Sequence, residues 1–179
     1  MIALPNQGYS ANVLPLIRTL FDIVLLRKGP EDIPRSWFLF VLIVALWLFS
    51  SLAALALIEQ FDETDFFLGL FSGFIGIVCY AALVMVSGWP GRVLQTISAI
   101  LGSGALISLA FVAAYVLLSP LLGAESAANI ATLVGLWSIV VEGNIIARAM
   151  ERHWYIGILV AIAVFAFQLI IYSIMASTP

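Results

Sequence analysis

From position 37 to 58 the chain reads WFLFVLIVALWLFSSLAALALI, 22 residues without a charge, a glycine or a proline. A helix rises ~1.5 Å per residue, so ~20 apolar residues cover the ~30 Å hydrocarbon layer of a bilayer. Lipid offers no hydrogen bonds to a backbone, which leaves two forms for such a run: a spanning helix or a strand of a closed barrel. Barrel strands are ~10 residues long and alternate in polarity, and this run does neither. Four further runs of the same kind follow. The predicted fold is all-α, a polytopic transmembrane bundle with spans at about 37–58, 66–87, 94–118, 127–148 and 154–175. No proline is predicted inside a span, with Pro90 and Pro120 expected in or beside turns. Short connections make consecutive helices antiparallel neighbours.

Composition excludes the alternatives. Hydrophobic residues make up 64% of the chain, charged residues 9%, and mean hydropathy is +1.17. A surface in water cannot be built from so few charges, where soluble domains carry ~25%. A disulfide scaffold is ruled out because Cys79 is the only cysteine.

Charge placement gives an expected orientation. The basic residues are Arg18, Arg27, Lys28, Arg35, Arg92, Arg148 and Arg152, and the predicted spans put all of them on one side. The opposite loops carry Glu59, Asp62, Glu63, Asp65 and Glu125. Lysine and arginine resist translocation, so the N-terminus is expected in the cytoplasm and the C-terminus outside. No cleaved signal sequence or lipidation motif is read at the N-terminus, and the first span is expected to act as an uncleaved anchor. Trp37, Trp89, Trp154 and Tyr155 fall at predicted membrane edges, as an aromatic belt would.

Residues 1–36 are expected to form a cytoplasmic arm, and 37–179 the membrane domain. Within the arm, Leu16, Ile17, Leu20, Phe21 and Val24 recur at helical spacing, with Arg18 and Asp22 on another face. Such a helix is expected to lie in the cytoplasmic interface, its apolar stripe in lipid and Arg27 and Lys28 near anionic headgroups. GPEDIP at 29–34 then turns the chain toward the first span. The arm, with Arg18, Asp22, Arg27, Lys28 and Arg35, serves equally as a membrane anchor or as a docking surface for a cytoplasmic partner.

An ionisable residue inside a span costs ~2.5–3.5 kcal/mol or more at the bilayer centre and marks a candidate site. Glu142 is that residue, in GLWSIVVEGNIIARAM at 135–150, ~9 Å below Arg148 along the helix. It continues a stripe of small residues, Ala128, Ala131, Gly135 and Ser138, which directs it into the bundle. The second span has a similar stripe in Gly69, Gly73, Gly76 and Tyr80, and the third in Ser98, Gly102, Ala105 and Ser108. These three helices are expected to pack through their small faces. Tyr80, Thr96 and Ser98 are the expected partners of Glu142, with Arg148 able to bend back and Asn144 placed to bond to Arg148. Glu142 then reads as a protonated or paired group that pins packing, a proton- or cation-coupled site, or a contact for a partner or lipid headgroup. Gln168, ~20 Å along the last span, is expected to make an interhelical hydrogen bond without touching Glu142. His153 stands without a second histidine or cysteine, so no metal or cofactor site is read from the chain.

No Walker loop, GxSxG elbow, HExxH pair or CxxC motif is present, and no enzyme activity is expected. A net charge of −3 without a basic patch argues against nucleic acid as a partner.

The third span begins GRVLQTISAILG, and the chain closes with GLWSIVVEGNIIARAMERHWYIGILVAIAVF. A tryptophan-bearing span, a short basic turn and a final apolar span, after an N-terminal arm and five spans in all, resemble the Yip1-like membrane family across about residues 35–175. The Gly-Pro motif ahead of the first span in eukaryotic members is matched by Gly29–Pro30, while their Gly-Tyr and proline features in the third span have no counterpart in LGSGALIS. The resemblance implies five-span topology. Eukaryotic members bind small GTPases in vesicle traffic, and bacterial members are small inner-membrane proteins. The expectation is a non-enzymatic interaction or assembly subunit in the bacterial cytoplasmic (inner) membrane. Its partners would be the lipid bilayer and another membrane or cytoplasmic protein, or a second copy. The alternatives are a small transporter or channel subunit using Glu142, and a membrane anchor for a redox or lipid enzyme.

Overall fold

The computed structural model describes residues 13–58 and 61–176. Among them are six α-helices and no strand: α1 (Val13–Val24), α2 (Trp37–Leu57), α3 (Glu63–Val86), α4 (Val93–Leu122), α5 (Ala124–Ala149) and α6 (Trp154–Ala176). Helices α2 to α6 are long and apolar enough to cross a membrane, in the expected order and within a few residues of the expected limits. The protein is a multi-pass membrane protein. The loop residue Glu59 lies outside the described residues.

Local chemistry sets the helix ends. Ser36 Oγ accepts a hydrogen bond from the Leu39 N–H at 3.4 Å to cap α2, and Asp62 Oδ1 accepts from the Asp65 N–H at 2.8 Å to cap α3. At the C-termini of α1, α3 and α5 the chain folds back in one pattern. The N–H groups of Arg27, Trp89 and Arg152 reach the carbonyls of Asp22, Val84 and Ala147, five residues earlier. The residue before each has positive φ: Leu26 (61°), Gly88 (90°) and Glu151 (53°). Between α4 and α5 only Gly123 separates the helices, at φ 83° and ψ 156°, a conformation open essentially to glycine alone. Pro120 lies inside the last turn of α4, not in a turn as expected. Near a helix end its missing N–H frees a single carbonyl, which the membrane edge tolerates.

The hub is α4. It packs along α5 and α2, α5 packs along α6, and α3 is held mainly by α6. The two ends of the bundle differ in charge. At one end, the basic end, Arg35 Nε donates to Gln95 Oε1 at 3.0 Å, and Gln95 Nε2 donates to the Ile33 carbonyl at 2.6 Å. Arg92 pairs with Glu151 at 2.7 Å and stacks 4.1 Å over the Trp89 ring, and Arg148 pairs with Glu31 at 3.0 Å. These bonds tie the 29–36 linker and two inter-helix turns into one surface. The opposite, acidic end carries Asp62, Glu63, Asp65 and Glu125, with Tyr172 Oη donating to Asp65 at 2.5 Å.

Helix α1 departs from the expected separate, lipid-lying arm. Leu16, Leu20, Ile23 and Ile33 are buried and share one apolar core with Ile43, Tyr80, Val84 and Val141 of the spans. Leu20 fills the space left by the absent side chain of Gly102, ten residues or ~15 Å along from Arg92. Trp137 Nε1 donates at 2.9 Å to the carbonyl of Val24, one of the unpaired acceptors at the helix end. Of the expected lipid-facing stripe, only Ile17 and Phe21 face outward. Asp22 pairs with Lys28 at 3.0 Å, closing the helix on its own following turn, while Arg18 and Arg27 are exposed. One face of α1, with Ile33 of the linker, therefore packs into the bundle, where the groove beside Gly102 receives it.

Candidate functional site

Each of the five spans gives at least one side chain to the wall of a cavity of about 100 Å³. From α3 come Gly73, Gly76, Ile77 and Tyr80, and from α4 Ile100 and Leu101; α2 gives Trp47, α5 Glu142 and α6 Gln168. The phenol of Tyr80, itself buried, donates to Glu142 Oε2 at 2.7 Å. Among the described ion pairs none involves Glu142.

Gln168 closes the opposite side of the chamber. Its Nε2 donates to the Ser72 carbonyl at 2.9 Å, the interhelical bond expected of it. Sequence distance along α6 sets Gln168 too far from Glu142 for direct contact, and among the described hydrogen bonds none joins the two. The structure puts both on one cavity, because Gly76 has no side chain where the Gln168 amide lies. Glu142 is ~10 Å from the basic end of α5 and Gln168 ~21 Å from that of α6, so the chamber runs along the bundle between them.

A second cavity, of about 230 Å³, lies between α2 and α3 toward the acidic end. Ser51, Phe61, Phe66, Gly69 and Ser108 line it, and it shares Trp47 and Gly73 with the chamber. The Trp47 ring passes over Gly73, where an added Cβ would sit 3.3 Å from Cζ2. Ser50 and Ser51 both donate to the Trp47 carbonyl, at 2.7 and 3.0 Å, which anchors this turn of α2. Trp47 is the partition between a crevice that begins at the acidic end and the chamber that holds Glu142.

Several expected contacts are replaced by others. Thr96 and Ser98 do not reach Glu142: their hydroxyls donate to Arg92 O and Leu94 O of their own helix, at 2.8 and 2.7 Å. A hydroxyl in a helix can always bond back one turn, and both residues are buried. Arg148 turns outward to Glu31 instead of toward Glu142 or Asn144. Asn144 Nδ2 is buried without a hydrogen-bond partner among the described residues.

The glycines also divide differently. Gly69 has nothing within 4 Å of where a Cβ would be, Gly73 and Gly76 face side-chain ends of Trp47 and Gln168, and Gly102 faces Leu20 of α1. Gly135 meets only Phe111, at an ordinary 3.7 Å. Close backbone approach occurs elsewhere, between α5 and α6. A Cβ on Gly157 would overlap Gly143 O, and one on Gly143 would lie 2.8 Å from Ile158 Cα. Gly143–Ala147 and Gly157–Ala161 repeat the same four-residue spacing of small residues, a signal present in the sequence but passed over. Trp47 and Trp137 were also missed, since an apolar aromatic inside a span carries no mark of its own.

His153 stacks on Tyr155 with ring centroids 5.5 Å apart and is exposed. Among the described residues no cluster of three or more His, Cys, Asp or Glu side chains could hold a metal. Of the residues that line the cavity, Glu142, Gln168 and Tyr80 carry side-chain oxygens.

Comparison with known protein families, curated proteins and solved structures gives no match. The site is read from its own geometry.

Proposed function

We propose that this multi-pass protein is a small non-enzymatic transporter or channel subunit in which Glu142 receives a proton or small monovalent cation. One observation carries the reading. An ionisable side chain deep in the bundle lines a chamber built by all five spans, and that chamber adjoins a crevice reaching the acidic end. A glutamate kept only to pin helices would be expected to sit in close packing without adjoining space. In this reading cations gather at Asp62, Glu63 and Asp65, enter between α2 and α3, and pass Trp47 to reach Glu142. The basic end faces the cytoplasm in this reading, following the lysine and arginine bias.

The test is reconstitution in liposomes with an internal pH dye and an imposed potential. Flux above empty liposomes is expected, falling to the empty-liposome level in Glu142→Gln and slowed in Tyr80→Phe. Wild-type protein indistinguishable from empty liposomes, or full flux in Glu142→Gln, overturns the reading.

The second reading is an assembly subunit of a membrane complex, in line with the Yip1-like resemblance. A lateral groove of about 730 Å³ along α3, lined by Phe67, Phe71 and Phe74, favours it. A partner helix could lie along that groove. A stoichiometric partner or second copy retained after gentle detergent extraction supports this reading. A uniform monomer counts against it.

A further inference from the structure

At the basic end, away from the Glu142 chamber, a crevice of about 220 Å³ opens between the turn after α1 and the facing sides of α5 and α6. Its walls are Leu26, Val140, Trp154 and Ile158, apolar throughout, with one polar member, Asn144. The Asn144 Nδ2 is the one buried side-chain nitrogen or oxygen among the described residues that lacks a hydrogen-bond partner. An amide donor left unpaired in a membrane protein costs free energy that a bound acceptor recovers. The terminal amide torsion is broad, so the NH2 group can turn toward an acceptor in the crevice. Asn144 lies four residues from Arg148, ~6 Å below the basic end, which is the depth of lipid ester carbonyls below their phosphates.

Charged residues stand close in the chain to two of the lining residues. Arg27 follows Leu26 directly and Arg152 precedes Trp154 by two residues, and both are exposed. The third arginine of this region, Arg148, is already paired with Glu31. Trp154, largely exposed at the start of α6, stands where an amphipathic ring meets the headgroup layer.

We infer that this crevice is a binding site for one anionic phospholipid. An acyl chain lies against Leu26, Val140 and Ile158, an ester carbonyl accepts from Asn144, and the phosphate is held by Arg27 and Arg152. The apolar walls alone would take any chain. The unpaired amide together with two free arginines selects a lipid with an ester and a negative headgroup.

The full-length protein, delipidated in detergent, is titrated with phosphatidylglycerol or with phosphatidylcholine of the same chains and read by native mass spectrometry. One retained phosphatidylglycerol per chain is expected, held roughly tenfold more tightly than phosphatidylcholine. Asn144→Leu is expected to weaken retention of both lipids by roughly tenfold. The double variant Arg27→Gln, Arg152→Gln is expected to weaken phosphatidylglycerol more than phosphatidylcholine, so that the headgroup preference is lost. Val140→Phe fills the crevice without touching a polar group, and loss of the bound lipid in a normally helical, monodisperse protein is expected; it carries the test if Asn144→Leu does not fold. Equal retention of the two lipids by the wild type, or wild-type retention by Val140→Phe, overturns the assignment.

Discussion

Gly157 of α6 lies so close to α5 that a single added carbon would overlap the Gly143 carbonyl, whereas Gly73 of α3 faces only the edge of the Trp47 ring. Both glycines stand in small-residue patterns of the kind that draws membrane helices together. At the α5–α6 seam the partner is small too, with Ala147 and Ala161 beside the glycines, and backbone meets backbone. At the α2–α3 seam the facing residues are large: Trp47 and, from α6, Gln168. Their tips occupy the glycine positions, hold the helices apart and leave two cavities. A small-residue stripe thus specifies room, and the opposing helix decides whether that room is filled by a backbone or by side-chain ends.

Four substitutions sharpen this contrast, from the largest effect down. Gly157→Leu puts a branched side chain where only backbone fits and should cost at least about 3 kcal/mol, since overpacking against a rigid partner cannot be relieved. Loss of monodisperse protein on size-exclusion is the readout, and a well-folded variant would show that the seam is looser than described. Trp47→Ala removes the partition; being half-buried, it should cost roughly 2 kcal/mol, less than a fully buried tryptophan. The sharper readout is chemical: a membrane-permeant carbodiimide should couple to Glu142 several-fold faster, and an unchanged rate would show that Trp47 does not limit access. Gly76→Ala displaces the Gln168 amide from Ser72 and should cost about 1 kcal/mol, because the tip of a flexible side chain can move. Thermal unfolding in detergent measures it. Gly69→Ala should be neutral or stabilising by up to about 1 kcal/mol, since nothing lies near its Cβ and alanine favours the helix. A destabilised Gly69→Ala would reveal a contact at the acidic end of α3 that the described residues lack.

The five spans were legible because each depends on a property summed over some twenty residues, and one misplaced proline, Pro120, does not disturb the sum. Glu142 was legible because its cost singles it out, while depth alone left Tyr80 as one of three expected partners beside Thr96 and Ser98. What could not be read was anything set by the opposing surface. Arg148 could have turned to Glu142, yet Glu31, 117 positions away in the chain, takes it. Ser98 stands at a suitable depth for Glu142, but a carbonyl one turn back satisfies it first. The stripe Leu16, Leu20, Ile23 would suit lipid as well as protein, and only the hole at Gly102 decides for protein. In a chain this apolar, patterning marks which residues turn from lipid but not which neighbour they meet.

The single-residue join at Gly123 bears on how the protein reaches its place. Helices α4 and α5 meet with almost no polar backbone between them, so they can enter the bilayer together as one hairpin. With the basic end in the cytoplasm, as proposed, Glu125 is the one charged side chain near that join that crosses the hydrocarbon layer. The turn at the hub therefore carries a single acid across, against four in the 59–65 segment that leads from α2 into α3, Glu59, Asp62, Glu63 and Asp65, while Glu142 is the one acid of the hairpin that stays within the bilayer.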